Sequence, residues 1–316
     1  VRRASQGWVL SILIALAACL AACEQQKLQA PPATRATDGA ALQGISNSAP
    51  EIAHYTALRA AGPMKIDGKL DEPSWKMAFQ SKAFVDIVTG KPAWFDTHVA
   101  ILWDDNYLYL GYTAQEPNVW ATLTRRDSKI YNDNDLEMFI AGKDAYYEFE
   151  MNALNTIYEV FWIWKDNFKP GSPYWGRPEF DPKTHPVMSL FGVGGHVSPR
   201  GERYGFLDWD FPGLLHAVHV EGTINKRGDV DKGWTAELAL PWKGLELLAD
   251  GRSLPPKGGD VWRIDCSRFE HVGPHGQRLK SPAGWTWNRH GYYDSHMPKR
   301  LTFVKLSTLT AGKQSH

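Results

Sequence analysis

The 316-residue chain has little cysteine, with only Cys19, Cys23 and Cys266. Two lie near the N-terminus and one stands alone, which excludes a disulfide framework and the paired spacing of a zinc site. It also lacks an excess of either charge: 35 Lys and Arg face 35 Asp and Glu. Nucleic-acid binding needs a basic field over the phosphates, so that partner class is excluded. No Gly-x-Ser-x-Gly elbow, His-Glu-x-x-His helix or phosphate loop occurs, which removes the common hydrolase and nucleotide-binding signatures. His216 and His219 are three apart. In a strand they point to opposite faces, so they do not share a metal. No internal repeat is visible.

The one long apolar run is at the start. Arg2 and Arg3 precede Trp8 to Ala22, which is too short for a typical membrane span. A basic start, an apolar core and small residues at its end describe a secretory signal over residues 1–22. Leu20-Ala21-Ala22-Cys23 resembles a bacterial lipobox, and the polar Glu24 follows directly. The resemblance implies acylation of Cys23 and a chain that is exported and held at a membrane by its lipid. Glu24 after the cysteine implies the outer membrane. Leu16 to Cys19 carries the same pattern one step earlier, and a cleaved signal without lipid is the alternative. Residues 23–60 are rich in Ala, Gln, Pro, Ser and Thr and offer little to bury, so they read as a flexible tether.

Beyond it the chain is rich in aromatic residues, with 14 Trp, and most of these are expected in a core. Residues 100–155 alternate. In Ala100 to Tyr112 apolar side chains fall on both parities around Asp104-Asp105-Asn106, the composition of a hairpin turn. Leu136, Met138 and Ile140 share one face of a strand, with Asp135, Glu137 and Phe139 on the other. In the next strand Tyr147, Phe149 and Met151 oppose Tyr146, Glu148, Glu150 and Asn152. A sheet face carrying carboxylates, an amide and an aromatic suits a polar, planar ligand such as a sugar. Alternation breaks down over residues 165–215, a Pro- and Gly-rich stretch that reads as a long loop insertion. It resumes at residues 216–224 and 233–240, a predicted hairpin. Strands outnumber helices without alternating with them, so the fold class is all-β, an antiparallel β-sandwich with a few short helices. One such helix is predicted near Glu72 to Phe79, capped by Asp71.

Ile66 to Glu72, Leu102 to Tyr109, Asp135 to Ile140, Gly233 to Trp242 and His296-Met297-Pro298 together resemble carbohydrate-binding module family 9. The match runs in order from about residue 61 to 308, with 309–316 left as a tail. The resemblance implies a DOMON-type sandwich, immunoglobulin-like or jelly-roll-like, that binds carbohydrate without catalysis and often accompanies xylanases. It therefore implies a polysaccharide or oligosaccharide ligand such as xylan, a role in carbohydrate catabolism, a periplasmic or surface setting and glycan-degrading enzymes as partners. Carried over by position, the two aromatic walls of the site fall on Tyr131 and Trp287, and its polar floor on Glu137 and Asn152. Glu150 stands where the family has a basic residue.

Other readings stay open. A glycoside hydrolase needs two carboxylates across a scissile bond, and Glu148 with Glu150 lie side by side instead. Related DOMON-type folds include haem-binding redox modules with Met and His ligands, for which Met151 and Met297 are the methionines at hand. No cofactor is required, though Asp67 and Asp71, or the Asp133 to Asp135 cluster, offer oxygen ligands to calcium. Turn chemistry explains the same aspartates.

Overall fold

The computed structural model describes residues 51–312. The expected signal segment, Cys23 with its alternative Cys19, and most of the expected tether lie outside the described residues. Among the described residues no helix is long and apolar enough to cross a membrane. In chain order the strands are β1 (His54–Arg59), β2 (Val85–Asp86), β3 (Thr97–Trp103), β4 (Tyr107–Gln115), β5 (Asp135–Ala141), β6 (Ala145–Asn152) and β7 (Ile157–Trp164). They continue with β8 (Val187–Leu190), β9 (Arg203–Phe206), β10 (Leu215–Glu221), β11 (Gly233–Pro241), β12 (Val261–Val272), β13 (Arg278–Thr286) and β14 (Thr302–Thr310). A short helix α1 spans Pro73–Met77.

The strands form one continuous ladder in the order β10-β11-β4-β3-β1-β14-β12-β5-β6-β7-β9-β8, with β13 branching from β12 and β2 pairing with β13. The two ends of the ladder fold toward each other and enclose the main core. From one half come Ile101, Leu110 and Leu238; from the other come Met138, Tyr147 and Ile264. Tyr112 of β4 crosses the gap and donates its hydroxyl to the Glu137 carbonyl of β5 at 3.0 Å. Trp103, Trp162, Trp262 and Trp285 are among the largest fully buried side chains. Each large apolar side chain buried this way contributes about 1.5–3 kcal/mol before the entropy of ordering is subtracted.

The all-β sandwich agrees with the alternation of the sequence. The Asp104 hairpin is present, its Oδ1 accepting the amides of Asn106 and Tyr107. The hairpin of β10 and β11 is present too. Four expectations need correction. The sheet is mixed, because β1 runs parallel to both β3 and β14. That strand lies inside the stretch assigned to the tether; its few apolar residues, Tyr55, Ala57 and Leu58, are all buried, but a short strand in polar surroundings carries weak periodicity. The tail begins later than residue 309, since β14 reaches Thr310 and the Ala311 amide bonds the Arg59 carbonyl. Residues 165–215 are more than a loop, because β9 pairs with β7 and β8 pairs with β9, extending the sheet edge.

The Ile66-Asp67-Gly68 segment shows how motifs far apart in sequence meet. Glu237 on β11 is buried and accepts the amides of Asp67 and Gly68 and the indole N–H of Trp75, at 2.9, 2.8 and 2.8 Å. Gly68 has φ of +87° and packs against the Val218 backbone, so a Cβ would be both strained and blocked. Helix α1 uses Pro73 in its first turn as expected, but Glu72 occupies the cap position and no side chain closes it.

Candidate functional site

Cross-strand neighbours share a face of a sheet, so register alone assembles one row across four strands. Ser267 of β12 pairs with Glu137 of β5, Glu137 with Glu150 of β6, and Glu150 with Tyr158 of β7. The adjacent row is Asp265, Phe139, Glu148 and Val160. The other face of these strands presents Leu136, Met138, Ile140, Tyr147, Phe149 and Met151 to the core. The carboxylates therefore lie on the outer face, away from the main core, as the alternation predicts.

Each carboxylate is held. Ser267 donates its hydroxyl to Glu137 Oε2 at 2.6 Å. The Tyr131 amide donates to Glu150 Oε2 at 2.8 Å. The Trp162 indole N–H donates to Glu148 Oε2 at 2.6 Å, and His296 Nε2 lies 3.2 Å from Glu148 Oε1. Asp135 Oδ1 accepts the Phe269 amide at 2.9 Å, while its Oδ2 is buried without a partner. Crowding like charges in a dry environment favours the protonated forms. Burial, reinforced by the Glu148 charge, pushes Glu137 up to about 8. Burial and then Glu148 raise Glu150; burial and then Glu137 raise Asp135. The face therefore carries hydrogen-bond donors as well as acceptors near neutral pH.

Aromatic rings border this row. Tyr131 is 38% exposed and meets Tyr158 edge-on, with ring centres 6.1 Å apart. Its carbonyl contacts His271 Nε2 at 2.9 Å. On the other side Tyr293 is half-buried, meets Phe269 edge-on at 5.6 Å and donates its hydroxyl to the Pro282 carbonyl. Burial, with the charges of Asp135 and Glu137 adding to it, raises the Tyr293 hydroxyl. It remains a donor at any physiological pH.

Tyr131, Glu137 and Glu150 are thus brought together. Trp287 is not. Its amide bonds the carbonyl of Cys266, a core-facing residue. Its ring is 8% exposed and stacks edge-on against Tyr55 at 5.2 Å within the main core. It sits on the opposite side of β12 from Glu137, because positions 285 and 287 take the core parity there. The aromatic residue from this part of the chain that shares the face with Glu137 is Tyr293, which the sequence reading missed. Its position just before the His296-Met297-Pro298 motif was the available signal.

Asn152 is also misassigned as a floor residue. It is fully buried, its Nδ2 donating to the Leu123 carbonyl and Asp133 Oδ2, its Oδ1 accepting the Leu154 and Thr156 amides. That uses its full capacity of two donors and two acceptor lone pairs. With Asp133, which also binds the amides of Thr122 and Leu123, it fastens the loop that presents Tyr131. Of the aspartates offered for calcium, Asp133 is engaged in this way and Asp67 likewise. Asp67 pairs with Lys65 and accepts the Lys69 amide. Among the described residues no group of three His, Cys, Asp or Glu is arranged to hold a metal. Met151 is a fully buried core residue.

No protein-family model and no curated protein matches the sequence. Solved structures do match. A candidate carbohydrate-binding protein from Bacteroides uniformis ATCC 8492 is 13% identical, with a TM-score of 0.51 over 81% of this chain and all of that one. A family 9 carbohydrate-binding module from Caldicellulosiruptor kristjanssonii in complex with glucose is 12% identical, with a TM-score of 0.43 over 82% of this chain and all of that one. Such a module from the same organism in complex with cellotriose is 13% identical, with a TM-score of 0.38, over 83% of this chain and 98% of that one. The first likeness shows a shared fold; the other two carry no argument.

Proposed function

We propose that the chain binds carbohydrate on the outer face of β5, β6, β7 and β12 and does not catalyse its breakdown. One observation carries this reading. Tyr131 stands exposed at the edge of the Ser267–Glu137–Glu150–Tyr158 row, its own amide fixed on Glu150. A pyranose has apolar C–H faces that lie on aromatic rings and a rim of hydroxyls that bond carboxyl groups. The shared fold with a candidate carbohydrate-binding protein is in keeping with it. Hydrolysis would need two carboxyl groups on either side of a glycosidic bond. Glu137 and Glu150 are neighbours in one ladder and project side by side.

The wider setting rests on the sequence. A lipid on Cys23 would tether the domain to a membrane, with the outer membrane favoured, and place it among enzymes of polysaccharide catabolism. A glycan array probed with the full chain, followed by assays for reducing ends, tests the binding reading. Selective capture of one glycan class without release of reducing ends is expected. No capture of any glycan, or turnover of the captured one, overturns it.

A further inference from the structure

The same outer face continues past His296 into a cavity of about 540 Å3 at the far end of β5 and β7. His296 joins the two regions: it contacts Glu148 on one side and lines the cavity on the other. One wall of the cavity, His196, Ser198, Pro199 and Arg200, comes from the chain that read as an insertion. His196 bonds Asp294 at 2.7 Å, which fixes residues 193–200 beside the His296 segment. Tyr292, 53% exposed, packs its ring on His196 with centres 4.4 Å apart and forms an aromatic wall at the mouth.

The charge of this cavity is one-sided although the chain as a whole is neutral. Lys143, Arg200, Arg263 and Lys299 all line it, and Asp250 is the one carboxylate that does. Some of the positive charge is compensated: Arg200 pairs with Asp144 and Asp166, and Arg252 with Asp250. The rest is not. Arg263 donates to the neutral carbonyls of Leu301 and Lys299. Asp265, the carboxylate nearest in sequence to it, is bound by His290, Asn288 and Thr302. Among the described residues neither Lys143 nor Lys299 forms an ion pair.

A second observation points the same way. Arg203 lies fully buried beneath the wall, its guanidinium 5.2 Å from the centre of Trp164, a ring that lines the cavity. No carboxylate pairs with it among the described residues; its guanidinium is buried among the Tyr146, Trp162 and Trp164 rings, with centres 5.7, 5.9 and 5.2 Å away, and the Tyr146 hydroxyl is its neutral oxygen neighbour. A charge held in a poorly hydrated place acts over a longer range than one in water. Burying it without an anion is costly, and a negative group in the adjoining cavity would offset that cost.

We propose that this cavity takes an anionic substituent, a carboxylate or a sulfate ester, so that the preferred ligand is an acidic saccharide whose neutral units lie on the Glu137 row. The inference rests on the carbohydrate reading above and adds the ligand's chemical class. Guanidinium and ammonium groups bind such oxyanions by charge-assisted hydrogen bonds.

The test is titration of the full chain with trigalacturonate, with its fully methyl-esterified form, and with a sulfated carrageenan tetrasaccharide, beside an array of neutral glycans. At least one of the two anions should bind about tenfold or more tightly than the neutral ester, and which one does separates carboxylate from sulfate. The Lys143→Ala/Lys299→Ala double variant should lose that advantage, while Lys226→Ala, at an exposed turn far along the chain, should keep it. The two lysines are surface groups, so the double variant should melt as the parent does. Binding of neutral glycans only, or binding of neither anion more tightly than the neutral ester, overturns this inference and leaves carbohydrate binding standing. Binding that responds equally to both lysine variants marks a diffuse charge effect and also overturns it. Failure to bind any saccharide overturns both readings.

Discussion

Glu137 and Glu150 sit directly opposite one another across the β5–β6 ladder, both buried, on the face of the sheet turned away from the main core. Two ionised carboxylates so placed repel one another, and each lacks the water that would screen the other. Their presence in a stable sheet makes stability depend on pH, and it sets the face apart from an ordinary solvated strand.

The sign of that dependence follows from Glu137, raised from an ordinary 4.5 to about 8. Between those values the folded state keeps a proton that the unfolded chain has lost. Stability contributed by this group therefore falls as pH rises through the window. Glu150 and Asp135 are raised too and act with the same sign. Thermal melts from pH 5 to pH 8.5 should show a declining midpoint, and Glu137→Gln, which is neutral throughout, should flatten the decline. An unchanged slope in the variant would mean that Glu137 is ionised at neutral pH in the fold.

Trp287→Ala should behave as a core deletion. The indole is packed against Tyr55 inside the sandwich, and removing a buried Trp costs about 3–5 kcal/mol. Urea denaturation should show that loss, with glycan affinity unchanged under conditions where the variant is folded. A variant of full stability and weakened affinity would restore the wall role that position-by-position resemblance gave it.

Glu237→Ala should also destabilise, by removing the acceptor for three donors from residues 67–75. Each buried donor left without a partner costs about 1–3 kcal/mol. Limited proteolysis should then cut first between residues 60 and 80. Wild-type resistance in that segment would show that Leu70 and Trp75 hold it without the carboxylate.

Asn152→Ala should weaken binding indirectly. It would leave Asp133 and the Leu123 carbonyl short of a donor and loosen the loop carrying Tyr131. Faster amide exchange over residues 122–133, together with reduced affinity, is expected. Reduced affinity with that loop fully protected would argue for direct contact with the ligand.

The alternation of β3 to β7 was legible because one face of each strand is apolar, and the outward parity of Glu137 and Glu150 followed at once. Other features depended on pairings that residue spacing does not specify. β1 was hidden because six residues with three buried side chains carry little period, and its parallel neighbours are remote in sequence. Trp287 and Tyr293 are both aromatic and six positions apart; the pairing of Ser267 with Thr286 puts Trp287 on the core parity, while Tyr293 reaches the other face through a loop whose course residue spacing does not specify. Asn152 had the right polarity for a ligand contact, but its partners come from residues 123 and 133, across a loop whose course has no periodic signal. The basic cavity was missed because its residues come from six separate segments and are offset in the bulk count by acids elsewhere.

The central claim is that the outer carboxylate face, bordered by Tyr131, binds a saccharide. Titration calorimetry of wild type and Tyr131→Ala with the best-bound oligosaccharide tests it most directly. Loss of one stacking ring costs about 1–3 kcal/mol by analogy with aromatic stacking on flat ligands. At about 1.4 kcal/mol per decade that is roughly a five- to hundredfold weaker affinity. The account predicts that loss with an unchanged melting temperature, since Tyr131 is exposed and its amide contact with Glu150 is independent of the side chain. Equal affinity in a fully folded Tyr131→Ala variant would contradict it.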